Sequence, residues 1–149
     1  MTDEEYMQAA LDVAREAARI GEVPIGAVLA DEQGNIIACA GNQMIGSHNP
    51  VGHAEIRALQ QGAKFKENYR LPECTLFVTL EPCTMCAGAI SLARIKRLVI
   101  AASDPKGGAV WHGVKFFEQA TCHWRPTVEQ GPFAEEAGEL LRTFFKARR

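Results

Sequence analysis

The stretch 79-TLEPCTMCAGAI-90, together with 53-HAE-55 well upstream of it, constrains this chain more than any other feature. Cys83 and Cys86 stand at the start of a predicted helix that Pro82 opens, because proline is tolerated in a first helical turn. His53 and Glu55 open a second predicted helix, over about 53–61. If these residues act together, the fold has to bring two helix starts side by side. Two cysteines three apart admit three readings: a redox pair, half of a structural zinc knuckle, or part of a catalytic metal site.

The surrounding pattern shows what could carry two such helices. Residues 3–20 place Tyr6, Ala10, Leu11, Ala14, Ala17 and Ala18 at helical spacing, with Gly21 as the stop. The apolar runs 25-IGAVLA-30 and 35-NIIACA-40 flank 31-DEQG-34 and read as a hairpin. Segment 41–52, rich in Gly, Asn and Pro, reads as loop. Strands are expected at 75-TLFVTL-80 and 96-KRLVIAA-102. A helix follows from Pro82 to about Ala93, 103–126 is irregular, and 134–147 closes the chain as an amphipathic helix. Strands alternating with helices imply a sheet with helices packed on it, and the hairpin makes that sheet mixed. With neither a repeat nor a linker, 1–149 reads as one domain.

Composition bounds the setting. At 47% hydrophobic and 23% charged residues, the balance is that of a water-soluble protein. The acidic, amphipathic start is no signal peptide, and no run is long enough to cross a bilayer, so the expected address is cytoplasmic with no membrane partner. The odd set Cys39, Cys74, Cys83, Cys86 and Cys122 suits metal ligation or buried thiols better than disulfides. Cys39 and Cys122 read as small buried hydrophobes. Net charge is −2, so nothing global advertises nucleic acid. Locally, 142-RTFFKARR-149 is basic, and Lys64, Lys66 and Arg70 form a second cluster. A solvated helix end complementing its dipole explains the tail as well.

The chemistry narrows the three readings. Residues i and i+3 share a helix face, so both sulfurs can address one ion, and the helix N-terminus favours the thiolate. Cys83, Cys86 and His53 make a Zn2+ ligand set with an open fourth corner for water or hydroxide, as catalytic zinc sites keep. A redox pair would leave His53 and Glu55 idle. A structural site would need a fourth ligand, with Cys74 or His48 as candidates. Glu55 tips the balance: a carboxylate beside an acidified water can take its proton and deliver it to a leaving group. The order H-x-E…P-C-x-x-C is the signature of zinc nucleobase deaminases, with the glutamate as general acid and base.

Beyond that signature, the chain resembles the bacterial tRNA-specific adenosine deaminases. The resemblance rests on 22-EVPIGAV-28, Asn42, 53-HAEI-56, 68-NYRL-71, 79-TLEPCTMCAGAI-90, Asp104 with Lys106, and 144-FFKARR-149. It departs from the commoner pattern at Val51-Gly52 and in 104-DPKGGAVWHG-113. The resemblance implies a three-layer α/β/α cytidine deaminase-like fold with a five-stranded mixed sheet, a homodimer, and one zinc per subunit with no organic cofactor. It implies hydrolytic deamination of adenosine to inosine at the wobble position of a tRNA anticodon loop. Glu55 would shuttle the proton, and His53, Cys83 and Cys86 would hold the metal. Asn42 would bind the flipped nucleoside, with Val23 and Pro24 walling its pocket. Asp104, Lys106, Phe145 and Arg148 would meet the RNA, and one of Phe144 and Phe145 is expected in the core. The alternative is a deaminase of a free base or nucleoside of guanine, adenine or cytosine type.

Overall fold

A computed structural model describes residues 1–148. Helix α1 spans Asp3–Arg19, and Thr2 and Glu5 close its first turn with a reciprocal capping box. Strands β1 (Gly26–Ala30) and β2 (Ile36–Gly41) form the expected hairpin, its turn organised by Asp31 Oδ1, which accepts from the backbone N–H groups of Gln33 and Asn35. Helix α2 (Ala54–Lys66), β3 (Thr75–Leu80), α3 (Thr84–Leu92), β4 (Arg97–Ala102), β5 (Thr127–Gln130) and α4 (Ala134–Lys146) follow.

The five strands lie in the order β2-β1-β3-β4-β5. Strand β1 pairs antiparallel with both β2 and β3, whereas β3, β4 and β5 run parallel. The sheet is mixed, as expected. Alternation along the strands divides the core in two. Ala27, Leu29, Leu76, Val78, Leu98 and Ile100 face one way, toward Ala54, Ala58, Ala87 and Ile90 of α2 and α3. Val28, Phe77, Val99 and Ala101 face the other way, toward Tyr6, Met7, Leu11 and Ala137 of α1 and α4. Each large apolar side chain buried this way contributes about 1.5–3 kcal/mol.

Four details differ from the sequence reading. Helix α2 runs past Gln61 to Lys66, because Gly62 is a packing residue: a Cβ there would lie 2.3 Å from Leu29 Cδ2. Helix α3 begins at Thr84, with extended Cys83 as its N-cap, so Pro82 precedes the helix. Strand β5 went unread because 127-TVEQ-130 is a short, half-exposed edge strand with no apolar alternation. Cys39 is exposed; Cys122 is buried as expected.

Candidate active site

The ends of β2, β3 and β4 and the start of β1 meet at one edge of the sheet, as the pairings Gly26–Gly41 and Leu80–Ala102 fix. Loops leaving the carboxyl ends of strands are where open α/β sheets place their sites. Here β2 leads through a loop to α2, and β3 leads directly to α3. The first turns of both helices therefore face each other.

His53 is the extended N-cap of α2 and Cys83 that of α3, with Cys86 one turn inside. His53 Nδ1 lies 3.6 Å from Cys83 Sγ and 3.5 Å from Cys86 Sγ. Zinc bonded to nitrogen at about 2.0 Å and to sulfur at about 2.3 Å has a tetrahedral N···S edge of about 3.5 Å. Soft thiolates with an imidazole suit zinc, and the donor set fits it. Among the described residues this is the one group of three such donors converging on a point. Neither Cys74 nor His48 joins it. The hydrogen bond from Cys86 is the main cause that draws the Cys83 thiol down to about 5, while the same bond and burial push Cys86 up. A bound dication would resolve that conflict by favouring both thiolates.

Glu55 is buried two residues beyond His53. Burial pushes its carboxyl up to about 7, and the charge of Cys83 adds to the rise. A carboxyl poised near neutrality can both take and return a proton.

Asn42 sits between two fixed points. Its backbone N–H donates to Ile25 O at 3.1 Å. Its Oδ1 accepts from the Ala54 N–H at 2.8 Å, at the first turn of α2. Because the partner is a donor, the oxygen assignment is forced and the amide nitrogen points the other way. That nitrogen has no protein partner among the described residues, and none of their buried side-chain polar atoms lacks one. Its protons are therefore open to a ligand.

A cleft of about 720 Å3 opens at the same sheet edge, between the start of β1, the ends of β3 and β4, and α4. Val23, Asp104, Lys106 and Phe145 line it. Pro24 is buried beside Val23. Phe145 is 47% exposed, whereas Phe144 is in the core at 7%. Asp104 Oδ1 accepts from the N–H groups of Lys106 and Gly107, shaping the turn that presents Lys106. Arg148 is not among the cleft's lining; its guanidinium lies over the Phe144 ring, 3.6 Å from the centroid. Arg149 lies outside the described residues. Lys66 of the second basic cluster is drawn toward Asp31 and Glu32.

Sequence reasoning passed over several residues that shape this edge. Arg142 and Lys146, read from the sequence only as members of the basic tail 142–149, also line the cleft, and their spacing with Phe145 on α4 was the available signal. Glu81 is buried at the end of β3 and accepts from the N–H groups of Asp104, Val110, Trp111 and His112 and from the His112 ring. Burial opposes its ionisation, but these donors outweigh it and the carboxyl stays below its ordinary range. It thereby ties the irregular 104–112 segment to the strand leading into Cys83. Gly52, one of the departures, has a close-packing reason: a Cβ there would lie 2.4 Å from Gln43 O.

The MafB19-like deaminase family model matches residues 1–149. The tRNA-specific adenosine deaminase of Haemophilus influenzae is 50% identical over 147 residues, covering 99% of this chain and 85% of that protein. That of Agrobacterium fabrum is 49% identical, covering 97% and 94% respectively. A solved structure from studies of A-to-I editing by tRNA:A34 deaminases at the wobble position of transfer RNA superposes with a TM-score of 0.90. It shares 48% identity, over 93% of this chain and 99% of that one. The chain belongs to the MafB19-like deaminase family and, with its relatives at 49–50% identity, to the tRNA-specific adenosine deaminases.

Proposed function

We propose that this protein hydrolyses adenosine to inosine at the wobble position of a tRNA anticodon loop, using one Zn2+ held by His53, Cys83 and Cys86. The observation that carries the proposal is the buried Glu55 carboxyl beside that donor set, at the sheet edge where the basic, aromatic cleft opens. Zinc bound there would supply a Lewis acid that acidifies water. Glu55 accepts a proton from the attacking water and delivers it to N1 of the purine as C6 becomes tetrahedral; it then takes the proton of the new C6 hydroxyl and passes it to the departing amine, leaving the 6-oxo group. Adenosine and water give inosine and ammonia. Asn42 directs its amide protons at the nucleoside, and Val23 and Pro24 exclude solvent from one side of the ring.

An unpaired loop base can be splayed out at little cost, which suits a pocket that must enclose the whole ring. Asp104 is the one acid lining the cleft beside Lys106, Arg142 and Lys146; Arg142 is ion-paired with Glu135 and Glu139, so Lys106 and Lys146 give the rim its cationic character in a chain of net charge −2. Neither Lys106 nor Lys146 has an ion-pair partner among the described residues. Phe145 adds a surface on which a base can stack. A free base needs none of this rim, and that is why the RNA substrate is preferred. Arg148 would join the RNA contacts by leaving its place over Phe144.

The active unit is a homodimer. Met85, Gly88, Ala89 and Leu92 form an uncharged outer stripe on α3, with Leu92 74% exposed, and a second copy is the partner that would cover it. Among the described residues no helix is long and apolar enough to cross a membrane. We take the enzyme to meet its tRNA substrate in the cytoplasm. The test is incubation of the zinc-loaded protein with an anticodon stem-loop bearing adenosine at the wobble position. Inosine is expected there, and adenosines in the stem should remain.

A further inference from the structure

We infer that Glu22 and Arg57 are positioning residues that grip the chain on either side of Asn42 and so aim its amide at the substrate. The inference rests on the reading of Asn42 as a substrate ligand given above. Glu22 is 3% exposed and leads into β1. Its carboxylate accepts from three consecutive backbone N–H groups: Met44 at 2.9 Å, Ile45 at 3.2 Å and Gly46 at 2.8 Å. Arg57, on the first full turn of α2, donates from the other side to the carbonyl of Gly41. Asn42 lies between these grips, one residue from Gly41 and two from Met44.

The arrangement is more than loop packing. A carboxylate buried on three amides is a charge-assisted interaction, about twice as strong as a neutral hydrogen bond. Burial works against the Glu22 charge, yet the amides and the field of Arg57 outweigh it and hold the carboxyl below its ordinary range. The loop runs from Asn42 to Gly52 and is closed on itself by the bond from Gln43 N–H to Gly52 O, 2.9 Å. His53 follows directly. A shift of this loop would therefore move the substrate amide relative to the metal donors. Glu22 itself touches neither, so it acts only through the loop.

A double-variant cycle on the full-length zinc protein reads this directly, with KM and kcat measured on a wobble-adenosine stem-loop. Asn42→Ala should raise KM by about 30-fold, as expected for loss of a buried substrate hydrogen bond. Glu22→Ala should raise KM by about tenfold with kcat within about threefold, and Arg57→Met should do the same, because uniform binding is what loosens. Zinc content should stay at one per chain. In the Asn42→Ala background, Glu22→Ala should add less than about twofold, since its effect passes through a residue already removed. Should Glu22→Ala not fold, Glu22→Gln retains one acceptor oxygen and is read in the same cycle, with a smaller effect that also vanishes in that background. A full additional loss in the double variant would overturn the positioning role and leave Asn42 as a ligand. An unchanged KM in Asn42→Ala would overturn both, and so identifies the failure of the underlying reading.

Discussion

Asn42 Oδ1 and the Ala54 N–H are 2.8 Å apart, and this one bond joins the loop after the hairpin to the helix that begins at His53. It fixes which end of the Asn42 amide faces outward. His53 and the substrate donor are thereby referenced to the same helix start. This relationship makes a sharper prediction than alanine replacement does.

Asn42→Asp keeps the acceptor oxygen for Ala54 and puts a carboxylate oxygen, which accepts and carries charge, where the outward donor was. The fold and metal content should be unchanged, with kcat/KM falling about 10- to 100-fold, the range for loss of a hydrogen bond in a site that excludes water. Steady-state kinetics beside a thermal melt would check it. A variant with normal kinetics would show that the amide protons do not reach the substrate.

Glu55→Ala removes the proton carrier and leaves the donor set intact. Activity should fall by about 10²- to 10⁴-fold, the usual contribution of a positioned general acid–base. Elemental analysis should still find one zinc per chain. Full activity in this variant would contradict the shuttle.

Cys86 is buried at the core side of the donor set. Cys86→Ala should lose metal and thermal stability together, because metal binding is coupled to folding, and chelator treatment of the parent should lower its melting temperature in the same way. Zinc retained at full occupancy by the variant would remove Cys86 from the ligand set.

Glu22 makes stability depend on acidity. Its folded carboxyl lies below the ordinary value of 4.5, because the amides of Gly46, Met44 and Ile45 and the charge of Arg57 outweigh burial. A group depressed on folding contributes stability above its unfolded pKa and loses that contribution as pH falls through the folded pKa. The stability gap between the parent and Glu22→Gln should thus be constant from pH 7 down to about 5 and shrink below 4.5. Urea midpoints at pH 7 and pH 3, measured in parallel for both proteins, provide the comparison. A gap of equal size at both pH values would rule out the ionised, amide-bound carboxylate.

Periodicity alone located most of the scaffold. Helical spacing from Tyr6 to Ala18 gave α1, and the apolar runs around 31-DEQG-34 gave the hairpin. Strands β3 and β4 were visible because they are buried on both faces and read as continuous apolar runs. Strand β5 was not, being a four-residue edge whose side chains are half exposed. The last turns of α2 were hidden by Gly62, which looks like a stop and is a contact with Leu29. His53, Glu55, Cys83 and Cys86 could be named from residue type and spacing, since metal ligation and proton transfer demand particular side chains. Glu22 and Glu81 could not. Each is an acid whose partners are backbone amides far along the chain, and amides leave no mark on composition or periodicity. Cys39 looked like a buried thiol within an apolar run, but it is exposed on the edge strand β2.

The central claim is that the cleft selects an anticodon loop over a free base. The direct measurement is a side-by-side assay of one zinc-loaded preparation on a wobble-adenosine stem-loop and on free guanine, adenine, cytosine and their nucleosides. The account predicts inosine in the stem-loop at a kcat/KM at least about 10³-fold above any small substrate, the difference that Phe145 and the cationic rim would supply through binding. Rapid ammonia release from a free base, with the stem-loop left unconverted, would contradict it.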